Sequence, residues 1–296
     1  MSGATEDDFA WVVFSGMRPD KPACVSRVRE FVGPGLFRRL RWHVAAGEAK
    51  SYTQAGALNA TSSGTTSDAV NAAFRLADAM KKPVVLMADD VVRISNCGAP
   101  AQLWTSEHGV TMRPLAAAIA LKQLCDKFCS KVAGAYPMAN TFYQLRCSPL
   151  SFASFVVADF FLVMPGVGVR WSDAWRPKED VDFTLKVLQR HGLIVRSNYL
   201  SVTAQHHKPG GDGDGHKRFQ KDVKIRKMLM KSWNSAKSVH PVRPGRNESE
   251  VKIHGLELVK REHPDMFGVL KAAEATFKSV SALSHDQAIR LREQLK

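Results

Sequence analysis

The most informative stretch of this chain is VVLMADDVV, residues Val84–Val92. Its aliphatic run predicts a buried strand, and two carboxylates, Asp89 and Asp90, follow at the strand's end. Open α/β sheets bind ligands at the carboxyl ends of their strands, so a ligand site is expected here. Paired carboxylates suit a hard divalent cation such as Mg²⁺ or Mn²⁺, although acids after a strand also serve as helix caps.

Strand and helix patterns alternate on both sides of this stretch. Trp11–Phe14 predicts a strand that ends at Ser15-Gly16, and residues 40–45 and 155–164 contain further strand material. A helix capped by Ser67 is predicted over residues 68–80, where apolar side chains recur at helical spacing. The alternation predicts an α/β sheet flanked by helices.

Length and composition describe a globular chain with a sizeable core. The 296 residues are 45% hydrophobic and 24% charged, which excludes a wholly disordered basic tail protein, a collagen-like chain and a small disulfide scaffold. The formal net charge is +14. Five cysteines, an odd number without a C-x-x-C pair, suggest reduced thiols. The longest apolar stretch, Phe152–Val169, is broken by Asp159 and Pro165. We therefore expect a soluble, cytoplasmic protein with no membrane partner.

The positive charge is concentrated towards the carboxyl terminus. Residues 216–231 hold seven Lys and Arg side chains and a single acid, Asp222. The basic residues are Lys217, Arg218, Lys221, Lys224, Arg226, Lys227 and Lys231. Such a run can bind a polyanion by releasing its counterions, and it can equally be a solvated helix face.

A second acidic cluster lies in KEDVDF, residues 178–183. Glu179, Asp180 and Asp182 stand at the predicted start of a helix, where the helix dipole alone would favour carboxylates. Aromatic and basic side chains precede them, namely Arg170, Trp171, Trp175 and Arg176. Indole rings can stack on a base or sugar, and a nearby carboxylate can take a proton from an acceptor hydroxyl.

Two further segments are weaker candidates. QHHKPGGDGDG, residues 205–215, combines His206 and His207 with a glycine-rich loop that could surround a phosphate. Adjacent histidines are nevertheless more often incidental than metal ligands. SGMRPDK, residues 15–21, ends a strand with Gly16 and Arg18, a plausible place for a nucleotide.

The order of these motifs resembles a GT-A glycosyltransferase. More narrowly, it is similar to the TET-associated glycosyltransferases of phages and eukaryotes, relatives of the base J glucosyltransferase. The resemblance implies a GT-A-like, Rossmann-type mixed sheet flanked by helices in residues 1–215. It leaves residues 216–296 as a basic, mainly helical region without a counterpart.

The resemblance also implies roles for individual residues. Gly16, Arg18, Gly210 and Gly211 would hold the nucleotide-sugar, and Asp89 would contact its sugar or ribose. Asp90 would bind Mn²⁺ or Mg²⁺ together with His207. The sequence departs from the family's D-x-D motif, since Ala88 occupies the position of the first aspartate.

The implied reaction transfers a sugar from a UDP-sugar to the hydroxymethyl group of a modified pyrimidine in DNA, such as 5-hydroxymethylcytosine. The acid pair Glu179 and Asp180 matches the family's catalytic carboxylates, and Asp180 is preferred as the base of an inverting transfer. Lys217, Arg218, Lys221, Lys224, Arg226 and Lys227, with Arg170 and Arg176, would hold DNA phosphates, while Trp171 or Trp175 would stack on a flipped base. The location expected for a phage-encoded enzyme is the host cytoplasm.

Two other functions remain compatible with the sequence. Ala88 and the high net charge would also suit a non-catalytic DNA-binding module on a decayed transferase fold. A third possibility is a glycosyltransferase whose acceptor is a protein or a small molecule.

Overall fold

A computed structural model describes residues 4–16, 18, 21–99, 103, 105–205, 215–233, 239–241 and 251–280. Its strands are β1 (Ala10–Ser15), β2 (Arg41–Val44), β3 (Ala60–Ser62), β4 (Val84–Ala88), β5 (Val91–Asn96), β6 (Val110–Met112), β7 (Val132–Tyr136), β8 (Leu150–Ser151), β9 (Phe160–Val163), β10 (Val195–Ala204), β11 (Val239–Pro241) and β12 (Val251–Ile253). Its helices are α1 (Lys21–Phe37), α2 (Ala49–Gln54), α3 (Thr66–Met80), α4 (Pro114–Phe128), α5 (Thr141–Gln144), α6 (Glu179–His191), α7 (Gly215–Ser232), α8 (Gly255–Glu262) and α9 (Pro264–Val280).

In the described residues one mixed sheet organises the fold, with strand order β3-β2-β1-β4-β9-β7-β10-β5-β6 and β8 paired to β10. Strands β1 to β4 are mutually parallel, whereas β9 runs antiparallel between β4 and β7. From β1 the chain proceeds outward to β2 and β3, and β4 then pairs with the other side of β1. The strand order therefore reverses at the β1/β4 pair, where open α/β sheets characteristically bind ligands.

Helices cover both faces of this sheet. Alternate side chains of β1 pack in opposite directions: Val12 belongs to one apolar cluster, and Trp11 and Val13 belong to the other. The first cluster includes apolar residues of α3, α6, α7, α8 and α9, and the second includes those of α1, α2 and α4. The predicted fold class, a mixed α/β sheet flanked by helices, is confirmed.

Strand β10 changes partners along its length. Its first residues pair with β7 and its last residues pair with β5, with a register shift between Ser197 and Ser201. The end of β10 thereby reaches the turn after β4, where the Gln205 amide donates a hydrogen bond to the Asp90 carbonyl oxygen at 2.9 Å. One bulged strand thus spans Val195–Ala204.

Several predicted boundaries also differ from the structure. Helix α3 is capped by Thr65 rather than Ser67: the Thr65 hydroxyl accepts from the Asp68 amide, and the Asp68 carboxylate accepts from the Thr65 amide at 3.0 Å. Ser67 is instead buried inside the helix. Helix α6 begins at Glu179, close to the predicted Asp180, and Gly192 ends it in the left-handed conformation.

The region beyond residue 215 is helical where it is described, as predicted, and it adds the antiparallel pair β11–β12. Ile225, Leu229, Leu258 and Leu270 from its helices belong to the same buried cluster as the sheet. A domain division at residue 215 stays a prediction. Within the described residues, no helix has the length and apolarity needed to cross a membrane.

Candidate functional site

The carboxyl ends of the parallel strands bring the sequence-predicted residues to one edge of the sheet. Ser15, Gly16 and Arg18 follow β1, and Asp89 and Asp90 form the turn that follows β4. Because β1 and β4 are paired in register from Ala10↔Val84 to Phe14↔Ala88, both segments emerge side by side. The β1 loop and the acid pair, predicted independently, therefore form one site.

Asp89 is held by a buried network of hydrogen bonds. One carboxylate oxygen, Oδ2, accepts from the Ser15 hydroxyl at 2.5 Å and from the Cys24 thiol at 3.0 Å. The Tyr52 hydroxyl, on α2, lies 2.5 Å from the Ser15 hydroxyl and can donate to it. Burial raises the pKa of both Tyr52 and Cys24, so the two groups stay protonated donors. This network fixes the orientation of the Asp89 carboxylate before any ligand arrives.

Arg18 bridges the two carboxylates. Its Nε and Nη2 donate to Asp89 at 3.1 and 3.0 Å, and Nη2 also donates to Asp90 at 3.2 Å. Asp89 and Asp90 are only 4% and 6% exposed, and the Arg18 side chain is 13% exposed. The two buried negative charges raise the pKa of Arg18, which therefore remains a cation at all relevant pH values.

The ends of β2 and β3 complete this side of the edge. A Cβ on Gly16 would lie 3.0 Å from the Ala45 Cβ, so the close approach of the β1 and β2 ends favours glycine there. The Gly47 amide donates to the Ser62 hydroxyl at 2.9 Å, linking the ends of β2 and β3. Gly16 is thus explained by packing as well as by its predicted place near a nucleotide.

A third and a fourth carboxylate lie beyond the acid pair. Asp159 immediately precedes β9, and its carbonyl oxygen accepts from the Ala88 amide at 2.9 Å, beside Asp89. The charge of Asp159 reaches Asp180 at the start of α6, where burial, and secondarily that charge, raises the pKa of Asp180 to about 7. Asp180 is therefore poised to accept a proton near neutral pH.

Helix α7 is anchored to the start of α6. The Trp233 indole Nε1 donates to the buried Asp182 carboxylate at 3.3 Å, and the Lys178 ammonium lies 3.9 Å from Asp222 of α7. Apolar Ile225 and Leu229 turn inward. The opposite side of α7 presents an exposed row of basic residues, Lys221, Lys224, Lys227 and Lys231. The spacing of these lysines keeps them on one helix face.

The remaining residues predicted to bind DNA have different environments. Trp171 is 4% exposed and packs between Phe161 and Phe183, with ring centroids at 6.2 and 5.9 Å. The prediction that Trp171 stacks on a flipped base is therefore wrong, because its ring belongs to the core. Trp175 is half-buried just before α6.

The basic residues near these two tryptophans and on α7 also differ in exposure. Arg170 is exposed, whereas Arg176 and Arg226 are half-buried and do not extend the exposed lysine row.

Several predicted residues lie outside the described part of the chain. His206, His207, Gly210 and Gly211 belong to residues 206–214, for which no description is given. Lys217 and Arg218 lie in the first turn of α7, but their side chains are likewise undescribed. Their predicted roles in nucleotide, metal and DNA binding stay predictions.

Divalent metal ions fit this site only with help from a substrate. Carboxylate oxygens are suitable ligands for Mg²⁺ or Mn²⁺, and Asp90 places one beside the β1 loop. The part of the chain that is described contains no group of three or more His, Cys, Asp or Glu side chains able to hold an ion. Mg²⁺ commonly binds through one or two carboxylates plus substrate phosphates, so a diphosphate would have to supply further ligands.

Sequence reasoning missed four polar residues of this edge: Cys24, Tyr52 and Asp159, together with the role of Ser15. The sequence does single out Asp159, since it is a charged residue inside the apolar run Phe152–Val169. No local sequence pattern identifies Tyr52 or Cys24 as part of the site, because only folding brings their helices beside Asp89.

A separate cavity of about 330 Å³ lies at the opposite, amino-terminal edge of the sheet. Arg39 there is already paired with Asp7, at 2.9 Å, and Lys82 donates to the Asp7 carbonyl oxygen at 2.7 Å. Arg39, Asp7 and Lys82 in this cavity therefore already have polar partners within the chain.

Among solved structures the chain is similar to the mannosyltransferase PcManGT from Pyrobaculum calidifontis, in complex with GDP-Man and Mn²⁺, with 12% identity and a TM-score of 0.44. The match covers 97% of this chain and 80% of that one. No family model and no curated protein matches the chain.

Proposed function

We propose that this protein is a glycosyltransferase that moves a sugar from a UDP-sugar to the hydroxymethyl group of a modified pyrimidine in DNA. The observation that carries the proposal is the meeting of two functional parts at one sheet edge. The first part is the acid pair with its bridging arginine at the β1/β4 switch point. The second is Asp180, whose pKa is raised and which is electrostatically linked to Asp159 beside that pair. The first part suits the binding of a nucleotide diphosphate, and the second can act as a general base.

The donor half of the proposal rests on Asp89, Asp90 and Arg18. A carboxylate held as rigidly as that of Asp89 is a suitable acceptor for sugar or ribose hydroxyls, since its position is set before binding. The Arg18 guanidinium is a permanent cation with donors in a planar fork, the geometry that matches phosphate oxygens. Gly16 is the proposed backbone contact of the donor, at a position where Ala45 leaves little room for a side chain.

A divalent metal belongs to the proposal as a partner of the donor. When bound, the ion would stabilise negative charge that develops on the leaving diphosphate. Asp90 is the protein carboxylate proposed to hold it, and His207, two residues after Gln205, is the proposed second ligand.

The transfer half of the proposal rests on Asp180. A primary hydroxyl has a pKa far above 7, so it needs a base as it attacks the anomeric carbon. The carboxylate of Asp180, with its pKa of about 7, is ionised in about half the molecules at neutral pH and is more basic than an ordinary aspartate. We propose that Asp180 takes this proton and that Glu179, its neighbour, helps to position the acceptor.

The acceptor half rests on the placement of α7. The Trp233–Asp182 and Lys178–Asp222 contacts attach the basic helix to the start of α6, next to the proposed base. Lys221, Lys224 and Lys227 form an exposed positive row on the helix that these contacts attach to α6. A nucleic acid held along this row would present its modified base to Asp180.

One observation favours a second candidate, a non-catalytic DNA-binding module. Ala88 removes an acid from the motif, and Arg18 already neutralises part of the charge of the remaining two. Such a module would bind DNA with equal affinity whether or not metal and UDP-sugar are present.

Nucleoside mass spectrometry tests the proposed function. The protein is incubated with DNA containing 5-hydroxymethylcytosine or 5-hydroxymethyluracil, Mn²⁺ or Mg²⁺, and one of several UDP-sugars. The expected result is a mass gain of one sugar residue on the modified nucleoside, abolished by EDTA and by Asp90→Ala. Tight DNA binding without a mass gain under any combination would support the second candidate instead.

An acceptor control separates the proposal from a transferase with another substrate. Unmodified DNA and a panel of peptides and small alcohols are offered in parallel with the modified DNA. Transfer to a peptide or small alcohol with none to DNA would overturn the DNA acceptor while leaving the donor site intact.

A further inference from the structure

Arg18 occupies the space between the only two acids of the β4 turn. Three hydrogen bonds of 3.0 to 3.2 Å join its guanidinium to Asp89 and Asp90. All three side chains are largely buried, so solvent screens this contact weakly. A divalent ion that approached the Asp90 carboxylate would meet the guanidinium beside it.

Further carboxylates lie close to this position. Asp159 precedes the strand that pairs with β4, and its charge reaches Asp180 at the start of α6. A diphosphate brought to this edge adds negative charge, which favours the binding of a cation beside it.

Arg18 lies between the end of β1 at Ser15 and the start of α1 at Lys21, outside regular secondary structure. Asp89 also accepts hydrogen bonds from Ser15 and Cys24, and these two contacts do not involve Arg18. Departure of the guanidinium would therefore leave Asp89 with two hydrogen-bond donors.

We propose that Arg18 is an internal cation that competes with the divalent metal for Asp89 and Asp90, and that it moves to the diphosphate when the nucleotide binds. This inference rests on the proposed function for its ligand. Metal alone then binds weakly, because it must displace a guanidinium. Metal and nucleotide bind tightly together, because the diphosphate offers Arg18 new acceptors and the ion further ligands.

Manganese titrations monitored by electron paramagnetic resonance test this inference without any transfer reaction. The affinity for Mn²⁺ is measured with and without UDP in the wild type, in Arg18→Gln and in Arg18→Lys. Because Mn²⁺ then no longer competes with a guanidinium for these carboxylates, Arg18→Gln is expected to bind Mn²⁺ alone about tenfold or more tightly. Arg18→Gln should also bind UDP more weakly, since the diphosphate loses a donor.

Arg18→Lys provides the second variant, because it keeps the charge and the fold while losing the planar fork. Its affinity for Mn²⁺ alone is expected to lie between those of the wild type and Arg18→Gln. Arg39→Gln, which removes a guanidinium from an exposed ion pair at the opposite edge, is the matched control and should leave Mn²⁺ affinity unchanged. Circular dichroism verifies that each variant is folded.

The possible results separate this inference from the proposed function. Unchanged or weaker binding of Mn²⁺ alone by folded Arg18→Gln and Arg18→Lys would overturn the role of Arg18, even if sugar transfer is observed. Tighter Mn²⁺ binding by Arg18→Gln supports the inference, even if no acceptor receives a sugar and the proposed function fails.

Discussion

Asp180, the proposed base, should determine how the rate of transfer depends on pH. Its carboxylate has a pKa of about 7, raised first by burial and then by the charge of Asp159. If Asp180 takes the proton of the acceptor hydroxyl, the rate follows its ionised fraction, which falls to about a tenth at pH 6 and about a hundredth at pH 5. We therefore expect kcat/KM to rise about tenfold per pH unit below a midpoint near 7 and to level off above it.

Two variants identify the group that titrates. Asp180→Asn should lower kcat by a factor of about 10² to 10⁴ and abolish the pH dependence, because an amide cannot accept the proton. Asp159→Asn should move the midpoint to lower pH, because it removes a neighbouring negative charge that raises the pKa of Asp180. Asp126→Asn, at an exposed pair with Lys122, is the matched control and should leave the profile unchanged.

The same pKa predicts an effect on stability. The native chain binds the Asp180 proton more tightly than the unfolded chain does, so the free energy of unfolding falls as pH rises from about 4 to about 7. The ceiling is about 4 kcal/mol, from roughly three pKa units at 1.36 kcal/mol each. Asp180→Asn should therefore resist urea better than the wild type at pH 8 while being less active. A flat pH profile in the wild type, or an active Asp180→Asn, would refute this reasoning.

Three further predictions concern other parts of the molecule. Charge reversal of Lys224, Lys227 and Lys231 should weaken DNA binding by at least about tenfold and reduce its salt dependence. Charge reversal of the exposed residues Arg38, Lys81 and Lys127 at the opposite edge is the control and should do neither. Filter binding at several salt concentrations measures both the affinity and its salt dependence. Tyr52→Phe should lower the free energy of unfolding by about 1 kcal/mol and weaken UDP binding severalfold, as urea titration and calorimetry would show, since Ser15 loses a donor. Gly255→Ala should destabilise the fold by about 1–3 kcal/mol in urea titration, because its Cβ would overlap the Ala153 carbonyl oxygen. Gly268→Ala, with open space around it, should not destabilise the fold.

The sequence predicted those parts of the fold that have a strong local pattern. Residues 84–88 are uniformly aliphatic and form the central strand β4, and residues 66–80 and 179–191 have apolar side chains at helical spacing. Strands β3 and β6 were missed because each has only three residues, and β5 was missed because its polar residues give no alternating pattern. Their pairing depends on distant strands, which no local window contains.

The candidate site was predictable to a similar extent. The acid pair, Arg18 and Asp180 could be found because they follow apolar strands or begin a helix. That Arg18 bridges both acids, and that Tyr52 and Cys24 hold Asp89, depends on contacts between residues as much as 74 positions apart, such as Ser15 and Asp89. Trp171 was misassigned because an indole in a basic, polar stretch has the same local sequence whether it stacks on a base or on the core.

The most direct test of the central claim measures nucleotide binding at the β1/β4 edge by thermal unfolding. With Mn²⁺ and UDP at about a hundred times the dissociation constant, the wild type should gain about 2.7 kcal/mol, a rise in Tm of about 4 °C for a chain of 296 residues. Asp89→Asn should lose most of this rise, while Asp7→Asn, a carboxylate paired with Arg39 at the opposite edge, should keep it. An equal rise in Asp89→Asn, or none in the wild type with UDP and Mn²⁺ present, would contradict the placement of the donor site.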